Sequence, residues 1–253
     1  MNYIETLKND LAVLPNGNTF NLKVKLIERI IASLENKQLP KYHFPKLQLS
    51  ESEITSFMQK NMFLSAPEFE KMSTDLEKFD HDLGELRTYL QQEFGYWATI
   101  TQDFVEQITI DFPNQSFLEL MAGNGFLSKG LRDLGVKTYC TDDLSWSKHD
   151  QTGNKLLTEV ESLDAISALA KYGNKVDNVI VAWSPDREEI DVQILQKMRK
   201  LDANFLLIGE FDGATDSQEF WNQAKLVTDS RIKQINRVYS RYDLVHDQLY
   251  LVK

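Results

Sequence analysis

Apolar residues recur with helical spacing through the first 110 residues. The clearest run has apolar residues at i, i+4, i+5, i+8, i+9 and i+12: Leu22, Leu26, Ile27, Ile30, Ile31 and Leu34. Ser50 followed by Glu53 is typical of a capping box that opens a helix, and Pro67 is compatible with the first turn of another. We therefore expect residues 1–110 to form an all-helical extension.

Short apolar runs alternate with helical segments after residue 115. Strands are expected at 116–121, 136–141, 156–160, 178–183, 204–210, 233–240 and 247–252. Such alternation is typical of an α/β protein with a doubly wound, mostly parallel sheet, and the last two of the seven strands would form an antiparallel edge. The segment Asp111–Asn114 is the expected junction between a helical unit, 1–110, and a sheet domain, 111–253.

A glycine-containing turn follows the first of these strands. Glycine accepts left-handed backbone angles and lets a ligand approach without meeting a Cβ, and the following helix points free N–H groups at the crevice. The predicted ligand-binding residues of this segment are Glu119, Met121, Ala122, Gly123, Asn124 and Gly125.

The second strand ends in the acidic pair Asp142 and Asp143. A strand, a glycine turn, a helix and a second strand that ends in an acid form the arrangement that binds ribose hydroxyls in nucleotide-binding sheets. Ser128 stands where the dinucleotide fingerprint requires a third glycine. An adenosyl ligand is therefore favoured over a pyrophosphate, although a solvated turn would also place two acids here.

Composition limits the partners and the compartment. The chain has 253 residues, of which 42% are hydrophobic, and a net charge of −10, which disfavours a nucleic-acid partner. A single cysteine, Cys140, allows no internal disulfide, and no apolar run approaches the roughly 20 residues that span a bilayer. The start of the chain lacks a signal-peptide pattern, so we expect a cytoplasmic protein without membrane contact.

The segment from Glu119 to Gly125 resembles the first motif of the class I S-adenosylmethionine-dependent methyltransferases, an acid followed by three alternating glycines. Met121 replaces the first glycine, and the resemblance extends from about Asn114 to Lys253. It implies a Rossmann-like methyltransferase fold and S-adenosylmethionine as cofactor. It also implies that Asp142 holds the ribose hydroxyls and that Asp164 accepts from the adenine amino group, although Asp164 is equally suited to cap a helix.

Two further strand ends carry candidate catalytic residues. Ser184-Pro185-Asp186 after the fourth strand partly resembles the loop with which amino-group methyltransferases hold an amine, although Arg187 replaces its aromatic residue. An ordinary turn is the alternative. Glu210 ends the fifth strand, where it would meet a substrate group or lie in solvent. We predict Ser184 and Glu210 as catalytic residues.

Aromatic residues are concentrated near the expected ligand edge. Trp146 and Trp183 follow strand ends, Trp221 lies on the helix after the fifth strand, and Tyr96 and Trp97 precede the sheet domain. These rings are expected to stack on the cofactor, with Trp183 among its contacts, to enclose the acceptor, or simply to pack beneath loops. The helical unit would then pack near the carboxyl edge of the sheet, with Tyr96 and Trp97 approaching the cofactor.

The histidines offer no metal site. They are His43, His81, His149 and His246, and their spacing is not that of metal ligands. Methyl transfer needs no metal, because the sulfonium carries the reactive group and the protein mainly supplies positioning.

The predicted function is methyl transfer from S-adenosylmethionine to a small-molecule or peptide-like acceptor. A non-catalytic binding or scaffolding protein that retains the fold is the main alternative, suggested by Met121 and the incomplete Ser184 loop. A nicotinamide-dependent oxidoreductase is disfavoured by the missing third glycine. The sequence does not indicate an oligomeric state.

Overall fold

A computed structural model describes residues 2–148, 151–186 and 189–253 of the chain. Before the first strand, the described residues form these α-helices: α1 (Tyr3–Val13), α2 (Asn21–Glu35), α3 (Glu51–Lys60), α4 (Ala66–Gly84), α5 (Leu86–Phe94) and α6 (Gln102–Asp111). The helical character expected for this part of the chain is therefore present.

Local capping determines where two of these helices begin. In the box at the start of α3, the Glu53 amide donates to Ser50 Oγ (3.3 Å) and the Ser50 amide donates to Glu53 Oε2 (2.8 Å). A second box, which the sequence analysis did not identify, joins Ser65 and Glu68 at the start of α4.

The apolar face of α2 differs slightly from the predicted one. Leu22 is 70% exposed, whereas Val24 is buried with Ile27 and Ile30. Val24, three residues before Ile27, takes the place of Leu22 on the buried face.

A sheet of six strands follows, and helices connect most of them. Its elements are β1 (Phe117–Leu120), α7 (Phe126–Asp133), β2 (Thr138–Asp142), β3 (Glu161–Ser162), α8 (Ala165–Tyr172), β4 (Asn178–Ala182), α9 (Ile190–Met198), β5 (Asn204–Gly209), α10 (Gln218–Gln223), α11 (Ser230–Val238) and β6 (Gln248–Val252). The strand order is β3-β2-β1-β4-β5-β6, and every pairing is parallel except that of β5 with β6. This is the doubly wound α/β Rossmann-like arrangement, and the chain reverses its winding between β1 and β4.

The predicted seventh strand is wrong. Residues 233–240 fall mostly within α11, where Ile232 and Ile235, three positions apart, are buried together, and Asp229 Oδ1 accepts from the Arg231 amide (2.8 Å) at its start. The antiparallel edge therefore consists of β6 alone. The third strand is also shorter and later than 156–160, because only Glu161 and Ser162 pair with β2.

Each face of the sheet has its own apolar core. One face carries α8, α9 and α10, and the other carries α7 and α11 in a core that is continuous with the helices of the first 111 residues. Phe104 of α6, for example, packs edge to face on Tyr239, with ring centroids 4.9 Å apart. The division into 1–110 and 111–253 thus stays a prediction, since the two parts share one core.

None of the helices in the described ranges combines the length and the apolar character that crossing a bilayer requires. The single thiol, Cys140, is buried in β2.

Candidate active site

A cavity of about 460 Å³ opens at the carboxyl ends of the parallel strands, at the point where β1 and β4 wind in opposite directions. Its volume lies in the range of about 300–1,000 Å³ that is typical of small-molecule and cofactor sites. Most of the residues predicted from the sequence line it: Glu119, Met121, Ala122, Gly123, Asp142, Asp143, Asp164, Trp183 and Ser184. Asn124, Gly125 and Glu210 do not.

The turn after β1 has the backbone of a glycine-rich motif although a methionine replaces one glycine. Met121, Gly123 and Gly125 all have positive φ, at 51°, 54° and 76°. A left-handed conformation costs about 1–2 kcal/mol for a residue with a Cβ, so Met121 preserves the geometry of the motif at the expense of strain.

The open side of Gly123 is occupied by the chain itself. A Cβ on Gly123 would lie 2.9 Å from Thr152 Cγ2, and Thr152 also accepts from the Trp97 indole (3.0 Å). The absence of a Cβ at Gly123 therefore lets the loop after β2 approach the turn. The sequence had predicted that a ligand would approach there.

Asn124 organises that loop and does not face the cavity. Its amide nitrogen donates to the carbonyls of Phe94 (2.7 Å) and Gln151 (2.9 Å), and its Oδ1 accepts from the Gly153 amide (2.8 Å). Its side chain is committed to these contacts, so the structure places it outside the predicted group of cofactor contacts. Gly125 likewise lies behind the cavity, as the cap of α7.

Glu119 is a buried carboxyl that caps the first turn of α7. Its Oε2 accepts from the Ser128 amide (2.8 Å) and also from the Ser128 hydroxyl. Burial raises the pKa of Glu119 to about 7, against the opposing effect of both Ser128 hydrogen bonds. Ser128, noted in the sequence only for not being glycine, is thus the partner that fixes this carboxyl.

Asp142 joins the ends of β1 and β2. Its Oδ2 accepts from the Gly123 amide (2.7 Å) and its Oδ1 from the Leu144 amide (2.6 Å). Burial raises the pKa of Asp142, while these two hydrogen bonds oppose the rise. Each carboxylate oxygen has a second lone pair, so Asp142 can still accept from a ligand. Asp143 is exposed and its Oδ1 accepts from the Ser145 amide (2.8 Å).

Asp164 performs the capping role that was the alternative in the sequence. Its Oδ1 accepts from the Ser167 amide (2.9 Å) at the start of α8, and the hydrogen bonds with Ser167 lower its pKa. It also lines the cavity, so capping α8 and facing a ligand are compatible here.

Trp183 has a strained backbone and is fixed from behind. Its φ is 60°, which is an outlier for a bulky side chain, and its indole nitrogen donates to Asp247 Oδ2 (2.7 Å). The guanidinium of Arg87 lies 4.9 Å from the Trp183 ring and 4.8 Å from the Tyr242 ring. The cavity wall at β4 is therefore positioned by residues from α5 and from the segment before β6.

Arg87 and Asp247 are candidate site residues that the sequence did not predict. Arg87 pairs through two nitrogens with Asp243 and donates to the Trp97 carbonyl (3.1 Å). Tyr239 donates to Asp247 Oδ2 (2.7 Å). Their partners lie up to 156 positions away along the chain. No local motif marks them, since only the fold brings them together.

Glu210 does not reach the cavity, so the structure corrects its predicted position. Its Oε1 accepts from the His246 amide (2.7 Å) and its Oε2 from the Ala214 amide (2.8 Å). These two hydrogen bonds hold the loop after β5 against the segment before β6. A carboxylate at a strand end readily accepts hydrogen bonds from nearby backbone amides. The carbonyl of Ser184, the other predicted catalytic residue, accepts from the Asp216 amide (3.0 Å).

The aromatic predictions divide between the cavity and the core. Trp97 and Trp146 line the cavity together with Trp183. Tyr96 does not, because it is fully buried and its hydroxyl donates to the Ile100 carbonyl (3.0 Å). Trp221 packs in the core on the α10 face of the sheet. Thus only Trp97 of the expected Tyr96–Trp97 pair lines the cavity.

Two residues considered in the sequence analysis, His149 and Arg187, lie outside the described residues. Within the described ranges, no group of three or more His, Cys, Asp or Glu side chains has an arrangement that could hold a metal ion.

Comparison with known proteins finds distant structural matches only. No protein-family model matches the sequence and no curated protein does. Among solved structures, the CcbJ methyltransferase from Streptomyces caelestis is 16% identical with a TM-score of 0.29, over 43% of this chain and 48% of that one. The chain thus spans about half the length of CcbJ.

Two further solved structures match longer segments. A mutant of MtNAS in complex with S-adenosylmethionine is 11% identical with a TM-score of 0.40, over 100% of this chain and 98% of that one. The magnesium protoporphyrin IX methyltransferase from Synechocystis PCC 6803 with bound SAH is 13% identical with a TM-score of 0.33, over 60% of this chain and 82% of that one. At these identities and TM-scores the matches carry no conclusion about function, which is argued below from the residues of the cavity.

Proposed function

We propose that this protein transfers a methyl group from S-adenosylmethionine to a small-molecule or peptide-like acceptor. The observation that carries the proposal is the cavity at the switch point of the sheet. The glycine turn, the buried Asp142 and the loop of Trp183 and Ser184 converge there. This is the position at which open α/β sheets bind nucleotide-like ligands.

The residues of the cavity fit an adenosyl cofactor. The remaining lone pairs of Asp142 suit the ribose hydroxyls, Asp143 and Asp164 offer acceptors nearby, and Trp146 offers an aromatic face for adenine. Met121 borders the part of the cavity where the methionine end would lie. When bound, the cofactor supplies an electrophilic methyl group on a positively charged sulfur.

The wall chemistry favours a cationic or planar acceptor. The cavity is lined by carboxylates and by tryptophan rings, and it repels a phosphate backbone. The acidic side chains that line it are Glu119, Asp142, Asp143, Asp164 and Asp186. The chain then contributes an oriented, partly dehydrated crevice in which an amine or another polar nucleophile is aligned with the methyl group.

Met121 and Asp186 support a second candidate, a non-catalytic protein that binds the same ligand. Met121 stands where a glycine is expected, and Asp186 where the amine-holding loop has proline. Because Met121 keeps the left-handed backbone, we favour the enzyme.

Calorimetry and a transfer assay test the proposal together. Purified protein is titrated with S-adenosylmethionine, S-adenosylhomocysteine and NAD, and we expect the two adenosyl compounds to bind and NAD not to bind. Labelled methyl transfer into cell extract is then followed after nuclease, protease and size fractionation.

Label in a small-molecule or peptide fraction supports the enzyme, and label only in nucleic acid contradicts the acceptor class. Tight binding without transfer supports the non-catalytic candidate. Asp202→Asn is the matched control for substitutions at Asp142, because Asp202 is exposed and does not line the cavity.

A further inference from the structure

Two tryptophan rings form one aromatic wall on the β4 side of the cavity. Trp97 belongs to the segment between α5 and α6, and Trp183 follows β4. Both line the cavity, their ring centroids are 6.1 Å apart, and their planes are tilted by 44°. Because the two rings are adjacent, they form a continuous aromatic surface. A residue from the helical unit thus completes the cavity wall at β4.

The polar edge of each indole is already bound within the protein. Trp97 Nε1 donates to Thr152 Oγ1 (3.0 Å), and Trp183 Nε1 donates to Asp247 Oδ2 (2.7 Å). An indole has one N–H donor and no acceptor, so neither ring keeps a hydrogen-bonding group for a ligand. The two rings therefore offer the cavity their carbon surface, which favours contact with an apolar or aromatic group.

The remainder of this wall is apolar. Ala98 and Ala182, which are next to the two tryptophans in the chain, line the cavity, and so does Ile100. The segment 95–101 contains no charged residue. Among the described residues, the carboxylates that line the cavity belong to or follow β1, β2 and β3, except that of Asp186, which is exposed. A ligand group against the tryptophans is thus surrounded mainly by carbon.

Arg87 lies behind this wall. Its guanidinium is 4.9 Å from the Trp183 ring, but Arg87 does not line the cavity, so the ring separates this cation from the cavity. A cation is attracted to an aromatic ring by the electron density of its faces. A second cation on the cavity face would share that density with Arg87, whereas an uncharged ring would not. Trp183 is therefore better suited to stack on an uncharged aromatic group than to hold a cation.

We propose that the acceptor is a planar, uncharged aromatic compound that stacks against Trp97 and Trp183. The inference rests on the proposed function and narrows its acceptor from cationic or planar compounds to planar, uncharged ones. The carboxylate side of the cavity then holds the cofactor, and the helical unit contributes Trp97 to acceptor specificity. Thr152 is a positioning residue, because it acts through the Trp97 indole.

Three probes of similar size test planarity and charge separately. They are naphthol, which is planar and uncharged, decahydronaphthol, which is saturated and uncharged, and N-methylquinolinium, which is planar and positively charged. Each is titrated by calorimetry into protein saturated with S-adenosylhomocysteine, at neutral pH and at physiological ionic strength, which screens exposed carboxylates. We expect naphthol to bind about tenfold more tightly than either of the other probes.

Trp97→Leu removes one ring and keeps an apolar side chain. We expect the affinity for naphthol to fall about tenfold and the affinity for decahydronaphthol to be unchanged, because only the planar probe stacks on the ring. A general loosening of the wall would weaken both probes instead. Tyr42→Leu is the matched control, because Tyr42 is an exposed ring of the helical unit that does not line the cavity.

Thr152→Val and Thr152→Ser test the positioning of Trp97. Valine has nearly the shape of threonine but cannot accept from the Trp97 indole, whereas serine can. We expect the affinity for naphthol to fall severalfold in Thr152→Val and to return towards the wild-type value in Thr152→Ser. Equal affinities in the two variants would contradict the positioning role. If Trp97→Leu does not fold, this pair and the three probes still carry the test.

The outcomes separate this inference from the proposed function. Failure of the wild-type protein to bind S-adenosylhomocysteine contradicts the proposed function itself. With that ligand bound, naphthol that does not bind, or that binds no more tightly than decahydronaphthol, overturns the inference alone. N-methylquinolinium that binds as tightly as naphthol overturns the uncharged acceptor. A Trp97→Leu protein that loses affinity for both uncharged probes equally overturns the aromatic contact.

Discussion

The two sides of the cavity are built differently. On the side of β1 and β2, polar groups are satisfied by nearby backbone: Glu119 caps α7 through Ser128, and Asp142 accepts from Gly123 and Leu144. On the side of β4 and β5, contacts come from distant parts of the chain, and some buried polar atoms have no partner among the described residues. The side at β1 and β2, the proposed cofactor side, is thus held by local contacts, whereas the side at β4 and β5, the proposed acceptor side, depends on contacts from distant parts of the chain.

In the proposed function, the difference follows from what each side recognises. A cofactor that is always the same is served by a prebuilt turn, and preorganisation reduces what binding must order. Trp183 stays in its left-handed conformation because Asp247 and Arg87 hold its ring.

The largest effect is expected from breaking the link behind Trp183. Arg87→Met leaves the mostly buried Asp243 carboxylate without its cation. Removing one partner of a buried ion pair lowers the free energy of unfolding by about 3–5 kcal/mol. Urea unfolding should measure this loss of stability. The control is Arg231→Met, whose pair with Asp229 lies nearer the surface and should contribute about 1 kcal/mol or less. Equal losses in the two variants would contradict a special role for the Arg87 link.

A pH-dependent effect is expected from Glu119 on the cofactor side. Burial raises the pKa of Glu119 in the folded protein to about 7, above its ordinary value of 4.5. The folded state therefore binds more protons than the unfolded state between these two values, and stability falls as pH rises through this window. Glu119→Gln should therefore gain stability relative to the wild type between pH 5 and pH 8, by up to about 3 kcal/mol. Unfolding curves at both pH values measure it, with the exposed Glu159→Gln as control. A gain that does not depend on pH would contradict the raised pKa.

Binding of S-adenosylhomocysteine should also depend on Asp142. In Asp142→Asn one side-chain oxygen becomes a donor, so acceptors for Gly123 or Leu144 and for ribose are lost. Hydrogen bonds to charged groups contribute about 1.5–3 kcal/mol, which corresponds to about 10–150-fold in affinity for S-adenosylhomocysteine. Calorimetry measures the change against Asp202→Asn. A folded Asp142→Asn protein with wild-type affinity would exclude this carboxylate from the site.

The two sides also differ in how far the sequence predicts them. The glycine turn and Asp142 are close in the chain, and their order of strand, turn, helix, strand and acid was enough to place them at one crevice. Arg87 and Asp247 carry no local signal, because their contacts with Asp243, Trp183 and Tyr239 form only in the fold. The helix at residues 230–238 was missed for a related reason: its short apolar pattern fits either a strand or a helix, and its packing against α6 decides.

Restoring the missing glycine at position 121 is expected to have the smallest effect. This substitution also tests whether Met121 marks a loss of function. Met121→Gly relieves a left-handed backbone that costs about 1–2 kcal/mol, but it also removes a partly buried side chain that packs on the core. We expect a net change in stability within about 1 kcal/mol and an unchanged affinity for S-adenosylhomocysteine.

Gly123→Ala is the matched opposite substitution. The φ of Gly123 is 54° and the new Cβ would lie 2.9 Å from Thr152 Cγ2, so stability should fall. Thermal unfolding and calorimetry on both variants decide the matter. A large gain in affinity in Met121→Gly would mean that the methionine obstructs the cofactor, which would favour the non-catalytic candidate over the enzyme.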